Sequence, residues 1–287
     1  MKNEKLEQRI LGYIAKYQKE LSVDIYAINI QANHIHIEAE FPLCNRAKFE
    51  QHVNARIAEG VRFYVDEFPG GPVFQRRYTQ QDILDNQALE DRFFYTALQP
   101  VSAGLCEKIS DYPNYNSFHD AANQIIRSYK VIDWAGFNKK RKYNSTTSIL
   151  EFTRHYRLNF KKLPQYQSLS KEEYRNLLHK KLEERRLAII SQKKETGFLY
   201  PNPQFLKKQK PGSLPRSTKK SRRHDKLPRY FSSNHALWKK KNEERKLIYD
   251  QYKKASSAYL GGDEFVVFPP NTYKPPRFLN MQTSNSS

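Results

Sequence analysis

Polar and apolar residues alternate from His34 to Phe41. Because side chains on a β-strand point alternately to opposite faces, the pattern predicts a strand here. His34, His36 and Glu38 share its polar face, and the apolar residues between them form a face that can pack into a core.

Two segments ahead of this strand have clear periodic patterns. Residues 4–20 carry Leu6, Ile10 and Ile14 at four-residue steps, which is typical of an amphipathic helix. Residues 22–30 are rich in Val, Ile and Tyr and predict a strand. Since a short connection separates it from the histidine strand, we expect the two strands to form a hairpin.

The following segments alternate between helical and extended patterns. Residues 45–59 predict a helix, with Asn45 placed to cap it. Residues 61–68 and 73–78 are expected to be extended, and the Gly-Gly-Pro run between them is a strong turn signal.

Residues 80–98 predict a further helix. Pro100 should end it, because a proline disfavours helical geometry at the residue before it. Strands mixed with helices and joined by short connections are typical of the α+β class, with helices packed on an antiparallel sheet.

The chain changes character after about residue 122. Residues 169–190 and 234–260 have helical patterns, while residues 201–230 hold five prolines among lysines and serines and are typical of a linker. The predicted organisation is a compact domain at 1–122, a basic helical region at 123–200, a Pro- and Lys-rich linker at 201–232, and a basic helix with a tail at 233–287. The C-terminal region is thus expected to be mainly helical and partly disordered.

The composition adds a strong positive charge that is confined to the C-terminal part. The 287 residues include 50 Lys and Arg against 30 Asp and Glu, a formal net charge of +20. Residues 1–120 have 13 basic and 17 acidic side chains, so the remainder carries a net charge of +24. Such an excess indicates a polyanionic partner, most simply nucleic acid.

Two other classes of protein are disfavoured. No apolar run reaches a membrane-spanning length and no signal sequence opens the chain, so no membrane partner is expected. Cys44 and Cys106 are far apart and lack the spacing of a zinc ribbon or a disulfide framework. We therefore expect a soluble protein of a reducing compartment.

Candidate chemistry lies near the end of the predicted helix at 80–98. Tyr95 and Gln99 are four positions apart, which places them on one helical face. Tyrosine can act as a nucleophile, and a glutamine at a helix end can direct its amide oxygen at a metal ion, although capping is an equally ordinary use. Taken alone, a His-x-His pair on a strand is more often structural than metal-binding.

Three carboxylates accompany these residues. Glu38 either orients a metal ligand or is simply solvated, and solvation is the preferred interpretation. Glu90 and Asp91 lie within about one helical turn of Tyr95 and are expected to be solvated first-turn residues.

Three motifs, in this order, resemble those of the single-tyrosine HUH transposases. They are Asn33-His34-Ile35-His36, the run from Gly71 to Tyr78, and the run from Tyr95 to Leu105, and the similarity extends to Asp111-Tyr112-Pro113 with Ser117-Phe118. The REP-associated tyrosine transposases are the most similar group. The likeness covers roughly residues 20–120, and the ordered set is more specific than His-x-His alone.

The sequence departs from this family at three places. Gln99 stands where REP-associated members usually have Asn, although related insertion-sequence transposases use Gln, and Phe74 replaces a common Trp. Family members begin with a further strand ahead of the first helix, whereas this sequence starts at that helix. The resemblance therefore implies either a sheet with one strand fewer or a different segment in its place.

The resemblance implies an HUH endonuclease fold with a ferredoxin-like or RRM-like core over residues 1–122. His34, His36 and Gln99 would be the ligands of Mg²⁺ or Mn²⁺, and Tyr95 the nucleophile. The reaction would be nicking and rejoining of single-stranded or hairpin-forming DNA through a 5′-phosphotyrosine, in DNA transposition, with no small-molecule substrate. The setting would be the bacterial cytoplasm and nucleoid, and whether the protein acts as a monomer or a homodimer stays open.

Basic side chains near the site and beyond it are the predicted DNA contacts. They are Arg76, Arg77, Lys139, Lys140, Arg141 and Lys142. Contacts of this kind go mainly to phosphates, which position nucleic acid without specifying its sequence.

Two alternatives stand beside the transposase interpretation. A replication initiator or relaxase would use the same chemistry, but typically carries Lys or a further His where this sequence has Gln99. A non-catalytic DNA-binding protein would keep the fold without turnover. The departure at the first strand favours that second alternative, whereas the presence of His34, His36, Tyr95 and Gln99 together favours catalysis.

Overall fold

The computed structural model describes residues 3–74, 78–208, 228–270 and 272–276, and within them the protein is α+β, as the sequence pattern predicts. The helices of these residues are α1 (Glu4–Glu20), α2 (Arg46–Tyr64), α3 (Asn86–Ser102), α4 (Phe118–Ala122), α5 (Trp134–Arg141), α6 (Lys171–Glu195), α7 (Pro203–Lys208) and α8 (His235–Leu260). The strands are β1 (Asp24–Ile30), β2 (Ile35–Glu40), β3 (Asp82–Ile83), β4 (Arg127–Ile132), β5 (Thr153–Leu158) and β6 (Tyr230–Phe231). β1 pairs with β2 and β4 with β5 in antiparallel fashion, while β3 pairs with β6 in parallel.

The described residues divide into two compact units, one formed by 3–74, 78–80 and 89–208 and the other by 81–88, 228–270 and 272–276. The predicted boundary at residue 122 therefore does not coincide with a division of the structure. The reason is that residues beyond 122, among them Tyr129, Leu158 and Tyr174, enter the same apolar core as α1 and β1.

The predicted hairpin of β1 and β2 is present. Asn29 of β1 lies directly opposite His36, and Ala27 lies opposite Glu38. Directly opposed residues of an antiparallel pair point to the same face, so one face carries these polar residues. The isoleucines of both strands form the other face and pack into the core.

The second edge of β1 is closed by two irregular segments. The backbone N–H of Ser117 donates to Ile28 O at 2.9 Å, and that of Ile30 donates to Tyr115 O at 2.9 Å. Farther along, the N–H of Lys161 donates to Ile25 O at 2.8 Å. These bonds satisfy backbone groups that would otherwise be left at an open strand edge.

α1 packs on one face of the hairpin formed by β4 and β5, two strands that the sequence pattern did not predict. A Cβ atom at Gly12 would lie 3.1 Å from Val131 Cγ2 and 3.3 Å from Lys130 O. The glycine therefore lets the helix approach β4 closely.

α2 extends to Tyr64, so the prediction that residues 61–68 are extended is wrong for the last helical turn. Gly60 explains the extension, because a Cβ there would lie 2.8 Å from Leu6 Cδ1 of α1. The close packing of the two helices favours helix beyond the point where local pattern suggested an end.

The predicted C-terminal helices correspond to α6 and α8. α7 lies inside the segment predicted to be a linker. Residues 209–227 and 277–287 lie outside the described residues, so disorder there stays a prediction. In the described part of the chain, no helix combines the length and the apolar character that crossing a membrane requires.

Candidate functional site

The two histidines lie together at the start of β2. The centroids of the His34 and His36 rings are 4.8 Å apart, and the ring planes are nearly perpendicular at 83°. His34 Nδ1 lies 2.7 Å from Asn33 Oδ1, an atom that can only accept, so Nδ1 donates. Nε2 of a neutral His34 then keeps its lone pair, as a metal ligand requires.

Both imidazoles are held in the neutral form. Burial lowers the pKa of His36 to about 4, and the neighbouring His34 and Arg92 add to the shift. Burial also lowers the pKa of His34. Since metal ligands must be deprotonated, both rings are ready to bind a cation near pH 7.

α3 brings Tyr95 to the histidines. The centroid of its ring lies 5.9 Å from that of His36, with the planes at 88°. Tyr95 is 40% exposed, so part of its side chain is open to a substrate. Gln99 follows one helical turn later on the same helix.

Two buried acceptors of this site have no hydrogen-bond partner in the described structure. They are His36 Nε2 and Gln99 Oε1. A buried polar atom without a partner costs on the order of 1–3 kcal/mol, so such atoms call for a ligand. An imidazole nitrogen and an amide oxygen are both donors to a divalent cation, so the predicted ligands His34, His36 and Gln99 have the chemistry that a metal site requires.

The ligand set depends on the amide of Gln99. Among the described residues, no three His, Cys, Asp or Glu side chains lie together as a metal-binding group. Two imidazoles with one amide oxygen form a mixed set that accepts Mn²⁺, or Mg²⁺ with retained waters.

α3 continues through Pro100 to Ser102, so the prediction that the proline ends the helix is wrong. Pro100 has no N–H to donate to Thr96 O, four residues earlier. Asn29 Nδ2 of β1 donates to that carbonyl at 3.0 Å instead. A side chain from the histidine hairpin thus replaces the missing helical hydrogen bond and fixes the tyrosine helix against the sheet.

This replacement predicts a specific coupling between Asn29 and Pro100. Asn29→Leu should lower the free energy of unfolding by about 1–3 kcal/mol, because it leaves Thr96 O buried without a donor. In a Pro100→Ala background the cost should shrink by about 1 kcal/mol, since the substitution restores a backbone N–H that can donate to the same carbonyl. Urea unfolding of the four proteins measures the coupling as a double-mutant cycle.

Asn45→Leu provides the matched control for this cycle. Asn45 Nδ2 donates to Leu21 O at 2.8 Å, away from α3. Asn45→Leu should lower the free energy of unfolding by the same amount in the wild-type and in the Pro100→Ala background. Simple additivity of Asn29→Leu and Pro100→Ala would show that the amide does not replace the helical bond.

Glu38 is hydrogen-bonded rather than solvated, contrary to the preferred interpretation of the sequence. Thr96 Oγ1 of α3 donates to Glu38 Oε1 at 2.7 Å. Burial raises the pKa of Glu38, against the opposing effects of Thr96 and Arg92. The contact is a second link between the histidine hairpin and the residue that follows Tyr95.

Glu90 is not a solvated residue either. Its carboxylate is 1% exposed and accepts from Lys181 Nζ at 2.7 Å and from Gln165 Nε2 at 3.0 Å. Burial opposes ionisation, but hydrogen bonds from Lys181, Tyr166 and Gln165 outweigh it and lower the pKa of Glu90. Asp91 accepts from Arg185 Nη2 at 2.7 Å, so both carboxylates join α3 to the C-terminal part of the first unit.

Arg92 is the functional candidate that sequence reasoning missed. Its guanidinium carbon lies 3.9 Å from the centroid of the Tyr95 ring. The signal was present in the sequence, because residues three apart share a helical face. A fixed positive charge beside the ring suits the binding of a phosphate group at this surface.

The four predicted DNA contacts that the structure describes belong to a different element from the histidines and Tyr95. Lys139, Lys140 and Arg141 lie on α5 and Lys142 follows it. Lys140 forms an ion pair with Glu151, and the Arg141 guanidinium carbon lies 5.6 Å from the centroid of the Phe137 ring. Arg76 and Arg77 lie outside the described residues.

Comparison with known protein families, with curated protein sequences and with solved structures finds no match for this chain.

Proposed function

We propose that this protein cleaves a nucleic-acid strand with a tyrosine nucleophile and a divalent metal. The observation that carries the proposal is the contact of Tyr95 with a neutral histidine pair, in which the buried Nε2 of His36 has no hydrogen-bond partner in the described structure. The net charge of +20 also suits a nucleic-acid substrate.

Within this class we propose an HUH single-tyrosine transposase, similar to the REP-associated group. Its motifs support the proposal, as does a histidine hairpin whose polar face is hydrogen-bonded to the tyrosine helix through Asn29, Glu38 and Thr96. The proposed substrate is single-stranded or hairpin-forming DNA, and the proposed cofactor is Mg²⁺ or Mn²⁺. The proposed location is the bacterial cytoplasm and nucleoid.

The proposed reaction uses residues of one surface. A divalent ion bound by His34, His36 and Gln99 would act as a Lewis acid toward charge on the phosphoryl oxygens. The Tyr95 oxygen attacks the phosphorus in line, a Tyr–O–P bond forms, and the bond from phosphorus to the 3′ oxygen breaks. The hydroxyl proton of Tyr95 passes to water as the O–P bond forms, the leaving 3′ oxygen takes up a proton from water, and the 5′ end stays on Tyr95 as a phosphodiester. Because that bond is retained, a second 3′ hydroxyl can reverse the step and join another strand.

A label-transfer assay tests the proposal. Hairpin DNA labelled at its 3′ end is incubated with the protein and Mn²⁺ or Mg²⁺, and denaturing gels detect covalent adducts. We expect a covalent adduct that forms when metal is present and does not form when EDTA is added before the DNA. DNA binding without any adduct, across hairpins of varied stem and flank, would instead favour the non-catalytic DNA-binding protein.

Arg92→Gln should lower the rate of adduct formation about 100-fold, the order expected for removing one preorganised donor to developing charge. Arg92→Lys should recover part of the rate, since charge is kept but the planar stacking group is lost. Added Mn²⁺ should still raise the melting temperature of Arg92→Gln, because Arg92 is not one of the three proposed ligands.

Arg175→Gln is the matched control for Arg92, since Arg175 lies on α6 and pairs only with its neighbours Glu172 and Asn176 in the described structure. Its rate should equal that of the wild type. An equal loss in both variants, or an unchanged rate in Arg92→Gln, would remove Arg92 from the proposed reaction.

A further inference from the structure

The hairpin of β4 and β5 has one face packed on the core and one face open to solvent. Tyr129 and Val131 are buried on the inner side. On the outer side, Ser128 lies directly opposite Arg157, and Lys130 lies opposite His155. These four exposed residues, Ser128, Lys130, His155 and Arg157, are called the ribbon face below.

The ribbon face carries positive charge that the protein does not neutralise. Residues 127–158 hold eight Lys and Arg against two acidic residues, a net charge of +6. Both acidic side chains are engaged elsewhere, since Asp133 accepts from Gly136 N at 3.0 Å and Glu151 pairs with Lys140. Within the described part of the chain, neither Lys130 nor Arg157 has a carboxylate partner.

The chemistry of the ribbon face favours a duplex over a single strand. Single-stranded nucleic acid is usually bound by aromatic side chains on which bases stack. The two tyrosines of the hairpin, Tyr129 and Tyr156, oppose each other on the inner face and pack against the core. The ribbon face itself offers only hydroxyl, amine, imidazole and guanidinium groups, which bind phosphates and base edges.

The dimensions of the hairpin fit B-form DNA. The major groove is about 12 Å wide and admits a two-stranded β-ribbon, and strands of six residues are about 20 Å long. The major groove of A-form RNA is too deep and narrow for such an element. A face of this polarity also lacks the apolar centre of a stable protein–protein interface.

We propose that the ribbon face is a docking surface for double-stranded DNA, with Lys130 and Arg157 contacting it from the two strands of the hairpin. The surface deepens the proposed function, on which it rests, by adding a duplex-binding element to the single-strand chemistry. It requires neither metal nor Tyr95, so it can be tested independently.

Binding of the full chain is measured by fluorescence anisotropy in EDTA, where no cleavage occurs. The probes are a DNA duplex of about two helical turns, one of its strands alone, and an RNA duplex of the same sequence. Lys130→Gln with Arg157→Gln should weaken DNA-duplex binding about tenfold and reduce the slope of log affinity against log salt by about 2. Affinity for the single strand should change far less.

The charge-matched control is Lys5→Gln with Lys180→Gln, two exposed lysines on α1 and α6. This pair should bind the DNA duplex as the wild type does, and circular dichroism should show both double variants to be folded. Equal losses in the two pairs, equal losses for duplex and single strand, or tighter binding of the RNA duplex would each overturn the proposal. Binding to phosphatidylglycerol vesicles in place of the DNA duplex, lost in the same variant, would also overturn it.

Different results would contradict the proposed nicking reaction and the proposed docking surface. Duplex binding through the ribbon face with no adduct in the label-transfer assay would contradict the nicking reaction alone. An adduct formed by a protein whose duplex affinity does not depend on Lys130 and Arg157 would contradict the docking surface alone.

Discussion

Tyr95→Phe is expected to abolish the covalent protein–DNA adduct, a loss of about 10⁴-fold or more, as for removal of a nucleophile in other enzymes. The substitution removes one oxygen and keeps the ring. The contacts of the ring with His36 and with Arg92 can therefore persist. Because the side chain is partly exposed, the free energy of unfolding should change by no more than about 0.5 kcal/mol. Loss of the adduct with intact folding and intact DNA binding would assign the reaction to this hydroxyl.

Tyr143→Phe is the control for this experiment. Tyr143 is strongly exposed and follows α5, an element that carries none of the proposed ligands or the proposed nucleophile. Loss of the Tyr143 hydroxyl should leave the amount of covalent adduct unchanged. Peptide mapping of the wild-type adduct should locate the DNA on Tyr95, and an adduct that survives Tyr95→Phe at another tyrosine would show that the nucleophile is misassigned.

His36→Ala is expected to cause the second largest effect, loss of both metal binding and cleavage. A cation that binds the folded protein stabilises it by RT ln(1 + [L]/Kd), about 2.7 kcal/mol at a hundredfold excess over Kd. Added Mn²⁺ should therefore raise the melting temperature of the wild type but not that of His36→Ala. The metal-dependent shift is measured without DNA, so it reports on the ligands independently of catalysis.

The pH dependence of that shift follows from the lowered pKa of His36. With a folded pKa of about 4, the imidazole stays unprotonated as the pH falls from about 7.5 to about 5, and it loses its lone pair to a proton only near pH 4. Because burial lowers the pKa of His34 as well, the Mn²⁺ shift should persist below the ordinary pKa of histidine, about 6.5, before it declines.

His119→Ala is the control for His36, because His119 is an exposed histidine on α4. It should keep the full Mn²⁺ shift. Gln99→Ala should lose part of the shift, since the amide supplies one ligand of three. A full shift in His36→Ala would place the metal elsewhere.

Local periodicity was enough to predict the elements that frame the site. The alternation around His34 and His36 predicted β2, and the four-residue steps at Leu6, Ile10 and Ile14 predicted α1. The helical spacing of Tyr95 and Gln99 placed them on one face of α3. In each case the determining interactions lie within a few residues, because side-chain direction in a strand or helix follows from the backbone period alone.

Contacts between residues far apart in the sequence decided where α3 ends and which of its side chains are buried. α3 passes Pro100 because Asn29, 67 residues before the carbonyl at Thr96, supplies the donor that proline lacks. Glu90 is buried because Lys181, 91 residues later, neutralises it. These partners are not visible in a single sequence, since a carboxylate or a proline has the same local pattern whether or not a distant donor reaches it.

The sequence by itself thus determined the histidine strand, the tyrosine helix, the α+β class and the excess of positive charge. Only the tertiary structure decided that Tyr95 lies beside His36 and under Arg92, that Gln99 and His36 keep buried acceptors without partners, and that Lys130 and Arg157 share an exposed ribbon face. The physical reason is range: backbone periodicity acts over a few residues, whereas burial, ion pairing and the replacement of a lost hydrogen bond depend on segments that only folding brings together.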